Sequence, residues 1–200
     1  MTHIFIIFFS YLIGSIPFGY LVGKYLKKID IREHGSGNIG VANSFRVMGI
    51  KYALLVLIGD CLKGLFSIMF AKWLVVESIE FYLLIGLAAI IGHNWSVFLK
   101  FKGGKGIATT YGVVLSFYPY IAIIAAIIWG AIVLTTKFAA LGSIISIFAM
   151  FILSFLLKTP LEFKIFIVII FLFAMIRHHS NINRLLHKKE NKITNESKYK

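Results

Sequence analysis

The sequence predicts an all-α polytopic membrane protein with seven transmembrane helices, some of them short, joined by glycine-rich cytoplasmic loops. Three observations carry that fold class. Hydrophobic residues make up 59% of the 200 and charged ones only 14%, at a mean hydropathy of +0.88, whereas soluble domains hold about 45–50% apolar and about 25% charged residues. The apolar residues come in long runs with polar breaks between them. The basic residues fall mostly on alternate breaks and in the tail, the distribution of a cytoplasmic membrane face. One integral membrane domain is expected over 1–190, with 191–200 a polar, disordered cytoplasmic tail.

Taken in order, the spans are expected at 3–23, 52–72, 79–95, 106–117, 120–136, 139–157 and 162–177. The first has no basic n-region and no small-x-small cleavage pattern, so it reads as a retained helix and not a signal peptide. In the second, Asp60 and Lys63 stand one turn apart and are expected to pair inside the membrane. Residues 106–136 are too long for one span of about 20 residues, and Tyr118-Pro119 supplies a break. Trp73 and Trp95 fall at expected membrane interfaces, while nothing in the sequence accounts for Trp129. With the N-terminus outside, the outer segments keep only Lys72, Lys158 and Lys164. Merging the fourth and fifth spans would put the basic tail outside.

The net charge of +13 suits anionic headgroups and an anionic substrate rather than nucleic acid, because the cations lie between apolar runs. Cys61 is the single cysteine, which excludes an intramolecular disulfide and a Cys-rich metal site. On this topology three polar stretches, 30–49, 92–106 and 177–190, share the cytoplasmic face.

The first stretch reads DIREHGSGNIGVANSFRVMG, from Asp30 to Gly49. Its glycines break helix, Ser36, Asn38 and Asn43 offer hydrogen bonds, and Arg46 supplies a planar fork for phosphate. A polar loop that caps a short helix and meets lipid headgroups would show the same residues. The second reads GHNWSVFLKFKGGKGIAT, from Gly92 to Thr109. Gly103, Gly104 and Gly106 surround Lys105 ahead of a re-entering helix, which is the chemistry of a phosphate cradle. It is not a nucleotide P-loop, since Gly106 stands where a magnesium-holding hydroxyl is needed. Alone, such a run is more often a plain turn. The third reads RHHSNINRLLHKKE, from Arg177 to Glu190, and places His178 and Asn181 on one helical face. Glu190 is expected to pair with a neighbouring basic group. The adjacent histidines lack acidic partners at ligand spacing, so no metal site and no cofactor is expected. The His-x4-Asp pair of many glycerolipid acyltransferases is missing, with Ile39, Phe98 and Asn183 at that spacing after His34, His93 and His178.

SGNIGVANSFR, GHNWSVFLKFKGGKGIAT and RHHSNINRL, together with the opening GSIPFGYLVGK, resemble the signature motifs of the bacterial acyl-phosphate:glycerol-3-phosphate acyltransferases, the PlsY type. The likeness covers nearly the whole chain apart from its tail. It implies transfer of a fatty acyl group from acyl phosphate to the 1-hydroxyl of sn-glycerol 3-phosphate, giving lysophosphatidic acid and phosphate in phospholipid biosynthesis. It implies a seven-helix protein of the bacterial cell membrane with a cytoplasmic site, and an upstream enzyme that forms acyl phosphate. By matching motifs, Ser36 and Arg46 hold glycerol 3-phosphate, and Gly103, Gly104, Lys105 and Gly106 form the phosphate loop. Ser143 falls on a polar position, and His178 and Asn181 on the functional pair of the third motif. Asn38, Asn43 and His93 join the binding candidates, with Lys105, His178 and Asn181 as the catalytic ones. Two departures stand out: Ala42 replaces a hydroxyl of the usual GATN, and Lys188 replaces a glycine.

Acyl phosphate is a mixed anhydride whose carbonyl is already activated. The protein's task is then to neutralise two phosphates and align a hydroxyl. A substrate phosphate oxygen is expected to take the proton, with His178 and Asn181 positioning. A transporter of phosphate or a small organic phosphate is the alternative, since basic glycine loops and a buried Asp-Lys pair also suit a permeation path. Polar motifs on one side only argue against it.

Overall fold

The computed structural model describes residues 1–194, and among them every regular element is helical. Helix α1 spans Thr2–Ser15 and α2 spans Phe18–Val22, continuing as a wider turn over Gly23–Lys27. Pro17 separates them because it has no N–H to give the ladder. The expected first span is therefore a broken helix, and the break leaves the Ile16 carbonyl to accept from Lys63 Nζ at 2.8 Å. A short amphipathic helix, α3 (Val41–Met48), meets α4 (Ile50–Leu74) at Gly49. The φ of 86° there turns the chain through a corner that an L side chain resists.

The remaining helices are α5 (Ile79–Asn94), α6 (Ile107–Leu115), α7 (Pro119–Thr136), α8 (Ala139–Leu156), α9 (Leu161–Arg177) and α10 (His179–Leu186). Pro119 opens α7, so the split expected at Tyr118-Pro119 is real. Seven apolar segments stand where the sequence places them, but they differ in reach. Five are long and apolar enough to cross a membrane: Thr2–Lys27, Ile50–Leu74, Ile79–Leu99, Pro119–Thr136 and Ala139–Leu156. The 17 residues of α9 rise about 25 Å, while the nine of α6 rise only about 13 Å of a roughly 30 Å core. That short helix is packed within the bundle, with Ala108, Thr109, Thr110, Gly112, Val113 and Val114 all buried. Irregular backbone at its ends is tolerable because protein covers it.

Helix α1 lies along α5, α4 along α6, and α7 along α8. Backbones approach closely where side chains are missing. A Cβ on Gly14 would strike the Ala89 carbonyl, one on Gly64 the Thr109 carbonyl, and one on Gly112 the Cys61 carbonyl. The main core centres on Phe163, Ile68, Ile85, Val113, Ile147 and Met150. A smaller cluster of Val22, Ile31, Ile39, Val47, Val56 and Leu99 sits beneath the first polar stretch.

The two ends of the bundle differ. At one end His3 meets Glu77 at 2.7 Å, and Lys72 Nζ reaches the Ser116 carbonyl at 3.3 Å. At the other end the second and third polar stretches meet through Lys105–Asn181 and Arg177–Gly103 contacts, and the first stretch lines the same cavity with them. Of the expected tail, residues 191–194 are described, and there the Ile193 N–H donates to the Lys137 carbonyl at 2.7 Å. The rest of that expectation lies outside the described residues.

Candidate active site

The first polar stretch is shaped by one side chain. Asn43 Oδ1 accepts the Ser36 N–H at 2.8 Å, and its Nδ2 donates to the carbonyls of Asn38 at 2.9 Å and His34 at 3.0 Å. Asn38 Oδ1 in turn accepts the Gly40 N–H at 2.8 Å. Asn43, expected as a substrate contact, spends its amide on tying the loop together. The loop leaves Ser36 exposed at its edge. Arg46, one turn along α3, is buried with 8% exposure. Its guanidinium reaches the carbonyls of Asn191 and Lys192 and Asn43 Oδ1, each at 3.4 Å. Contacts that long are weak.

The second stretch is clamped from two sides. Arg177 donates from Nε to the Gly104 carbonyl at 3.0 Å and from Nη2 to the Gly103 carbonyl at 3.1 Å. From the other side the His93 carbonyl accepts the Gly104 N–H at 2.9 Å. A Cβ on Gly103 would strike that carbonyl, and one on Gly104 would strike His93 Nε2. These two glycines were expected to bind phosphate themselves. They do not border the cavity; their role is to let the loop close on His93. Gly106 takes a left-handed φ of 80° and starts α6, so the first N–H groups of that helix face the same space as Lys105.

In the third stretch Asn181 Oδ1 accepts from Lys105 Nζ, and Asn181 Nδ2 donates to Glu190 Oε1 at 2.7 Å. Arg184 Nε donates to the other Glu190 oxygen at 2.9 Å, which is the pairing expected of that acid. His178 Nδ1 meets the Ala174 carbonyl at 2.9 Å. A carbonyl only accepts, so the proton is on Nδ1 and Nε2 keeps its lone pair. Burial, with Lys105 close by, pulls this imidazole down to about 4. Burial likewise pulls Lys105 down to about 8, against the Glu190 charge and with Arg184, Arg177 and Arg46 adding to the drop. The neighbouring His179 bonds the Ile176 carbonyl through Nδ1. Among the described residues no three His, Cys, Asp or Glu side chains gather as metal ligands.

These groups surround one cavity of about 490 Å³. Its polar end holds Ser36, Asn38, Arg46, Lys105, His178 and Asn181, with Asn43, His93, Gly106 and Ser143 also on its walls. Its apolar end runs between α4 and α6 past Leu62, Leu65, Tyr111 and Leu115. On the α4 side Leu57, Ile58 and Leu62 are exposed as well as lining, so the space opens sideways through the bundle wall. Ser143 donates to the Ala139 carbonyl at 2.9 Å and accepts from Trp129 Nε1 at 3.3 Å. That bond gives Trp129 the account its sequence position lacked.

A family model described as glycerol-3-phosphate acyltransferase matches residues 4–188. The chain belongs to the glycerol-3-phosphate acyltransferase family. The glycerol-3-phosphate acyltransferase of Halalkalibacterium halodurans is 40% identical over 189 residues, 92% of either chain. That of Alkaliphilus metalliredigens is 45% identical over 195 residues, 96% of this chain and 97% of the relative. Among solved structures, PlsY (YgiH), an integral membrane glycerol 3-phosphate acyltransferase in its glycerol 3-phosphate form, superposes with a TM-score of 0.90. It is 36% identical and covers 96% of each chain. Its lysophosphatidic acid form gives 0.88 at 35% identity, over 96% of this chain and 95% of that one. The chain is thus a multi-pass membrane protein of the acyltransferase family. Three members of its site escaped the sequence reading in this role. Arg177 had its place at the head of the third motif as the only signal, Glu190 its isolation as an acid in a basic stretch, and Asp60 its pairing with Lys63.

Proposed function

We propose that the protein transfers a fatty acyl group from acyl phosphate to the 1-hydroxyl of glycerol 3-phosphate, releasing lysophosphatidic acid and phosphate. The observation that carries this reading is the single cavity whose one end is cationic and whose other end is apolar and open to the side. An acyl phosphate has that same division, and a solved relative of 36% identity is known in a glycerol 3-phosphate form. A through-path for phosphate would need polar walls at both ends, and the apolar wall past Leu65 and Leu115 offers none.

The chemistry follows from the groups present. Arg46 and Lys105 neutralise phosphate, and the α6 N-terminus adds N–H donors where charge grows on the leaving phosphate. His178, with its lone pair on Nε2, accepts a hydrogen bond from the attacking hydroxyl and orients it. An imidazole at about 4 is a poor base near neutrality, so a phosphate oxygen of a bound substrate takes the proton. Asn181 ties Lys105 to Glu190 and holds the ammonium in place. The acyl chain lies against Leu57, Ile58 and Leu62 and passes from lipid to this wall without leaving apolar surroundings. The acyl donor reaches the site from the membrane as an already activated anhydride, so an upstream enzyme that forms acyl phosphate is the partner this reading requires. The basic end faces the cytosol of a bacterial cell membrane, with the N-terminus outside. Residues 1–190 act as one domain.

Purified protein in detergent, given acyl phosphate and glycerol 3-phosphate, tests the reading. Phosphate should appear only with both substrates, alongside 1-acyl-glycerol 3-phosphate, and EDTA should leave the rate unchanged. Phosphate release that ignores glycerol 3-phosphate, or substrate passage across vesicles without chemistry, would overturn it.

A further inference from the structure

Beneath the GGKG loop lies a buried trio that the reaction as described does not use. Lys63 Nζ stands 2.7 Å from Asp60 Oδ1, both side chains being 2% exposed. It donates to the Ile16 carbonyl at 2.8 Å and meets His93 Nδ1 at 2.8 Å. His93 Nδ1 is farther from Asp60, at 3.4 Å. Asp60 is held chiefly by the Lys63 ammonium, with His93 the more distant neighbour of the same oxygen. An ion pair this deep is costly to assemble, and removing one member alone costs still more. Its placement against a histidine on the cavity wall therefore asks for a reason.

The donor inventory supplies one. An ammonium has donors only, so the 2.8 Å contact to His93 Nδ1 makes that nitrogen an acceptor. A neutral imidazole with Nδ1 unprotonated carries its proton on Nε2. Among the described residues His93 makes its side-chain hydrogen bonds through Nδ1 alone. Its Nε2 comes to Gly104, where a Cβ would strike it, and the ring borders the cavity beside Lys105, Ile107 and Ala108. These last two lie on the α6 wall that leads into the apolar end.

We propose that Asp60 and Lys63 hold His93 in the tautomer protonated on Nε2, making His93 a fixed hydrogen-bond donor to an oxygen of acyl phosphate in the cavity that His93 lines together with Lys105. The arrangement is the reverse of that at His178, where the Ala174 carbonyl fixes the proton on Nδ1 and leaves Nε2 as acceptor. Two histidines on one cavity thus have opposite assignments: one gives a proton to a hydrogen bond with the acyl donor, the other receives one from the attacking hydroxyl. Asp60 and Lys63 touch no substrate and are positioning residues. The inference rests on the acyl-transfer reading for its ligand but not for its tautomer.

The tautomer is read directly by 15N shifts of histidine-labelled protein in detergent, the His93 signals being assigned by their loss in His93→Gln. Nδ1 should show the unprotonated shift and Nε2 the protonated one, unchanged between about pH 6 and 8. In Lys63→Met the proton should move to Nδ1, facing Asp60. A wild-type proton on Nδ1, or an imidazolium, overturns the lock. The kinetic arm uses amides as partial mimics. His93→Gln places a donor near the Nε2 position and should keep KM for acyl phosphate within a few-fold. His93→Asn places its amide near Nδ1 and should raise that KM about ten- to a hundredfold, as loss of a charge-assisted bond does, with KM for glycerol 3-phosphate little changed. Equal losses in folded Gln and Asn variants, or a change confined to glycerol 3-phosphate, overturn the donor role. Absence of any transfer by the wild type would instead sink the acyltransferase reading, with the 15N shifts still judging the lock.

Discussion

Burial lowers the proton affinity of both Lys105 and His178, and the two end on opposite sides of neutral pH, at about 8 and about 4. Lys105 carries its charge below about 8 and loses it as pH rises through that value. KM for the phosphate substrates should therefore climb above about pH 8, and Lys105→Arg, which stays charged, should remove that rise. A bound phosphate favours the ammonium, so the same limb in kcat should lie higher than in kcat/KM. His178 stays neutral over the range where enzymes are assayed. The acid limb then belongs to the second ionisation of a substrate phosphate, near about 6, and should keep its position in His178→Gln while the rate falls. A limb that vanishes in that variant would make the histidine the base. These roles were legible in part: RHHSN drew attention to His178, but only the Ala174 carbonyl shows which nitrogen holds the proton.

At the scale of elements, the glycines carry distinct and separable loads. Gly104→Ala would drive a Cβ into His93 Nε2, shifting the loop and lowering kcat/KM about tenfold or more while the fold survives. Gly112→Ala meets the Cys61 carbonyl, with no flexible atom to yield, and should lower Tm by several degrees. Gly130 meets nothing within 4 Å, so Gly130→Ala should raise stability by about 0.5–1 kcal/mol with activity unchanged. Thermal melts and kinetics of the three variants check the ordering. The spanning helices were plain in the sequence because hydropathy and the proline breaks mark them. The two eight-residue amphipathic helices, α3 and α10, are hinted at only by a short capped helix as one reading of the first stretch and by the spacing of His178 and Asn181 in the third. Helices that short are marginal alone and exist here through packing on the bundle. Likewise the spacing of Asp60 and Lys63 announces a pair, but His93 lies 30 residues away and joins them only because α5 runs beside α4.

For the whole molecule, the proposed topology, with the cavity end in the cytosol, rests on the distribution of basic residues. In a Cys61→Ser background, a cysteine at Lys158 should label from outside intact cells, and one at Lys28 or Lys188 should not. All three positions are exposed, so failure to label reports sidedness and not burial. Composition and three motifs were enough to gather the site on one end. What they left open was which cations enter the cavity and which remain on the surface. The fold separates them: Arg46 and Lys105 line the cavity, while Lys100 and Lys102 are exposed beside it. That separation is the centre of the account, and steady-state kinetics of Arg46→Lys, Lys105→Ala, Lys100→Ala and Lys102→Ala with both substrates tests it most directly. Loss of one charge-assisted phosphate contact costs about 1.5–3 kcal/mol, or about ten- to more than a hundredfold in kcat/KM. The account predicts losses of that size for Arg46→Lys, chiefly in KM for glycerol 3-phosphate, and for Lys105→Ala in kcat as well, with Lys100→Ala and Lys102→Ala near wild type. Equal and modest losses at all four positions in folded protein would contradict it.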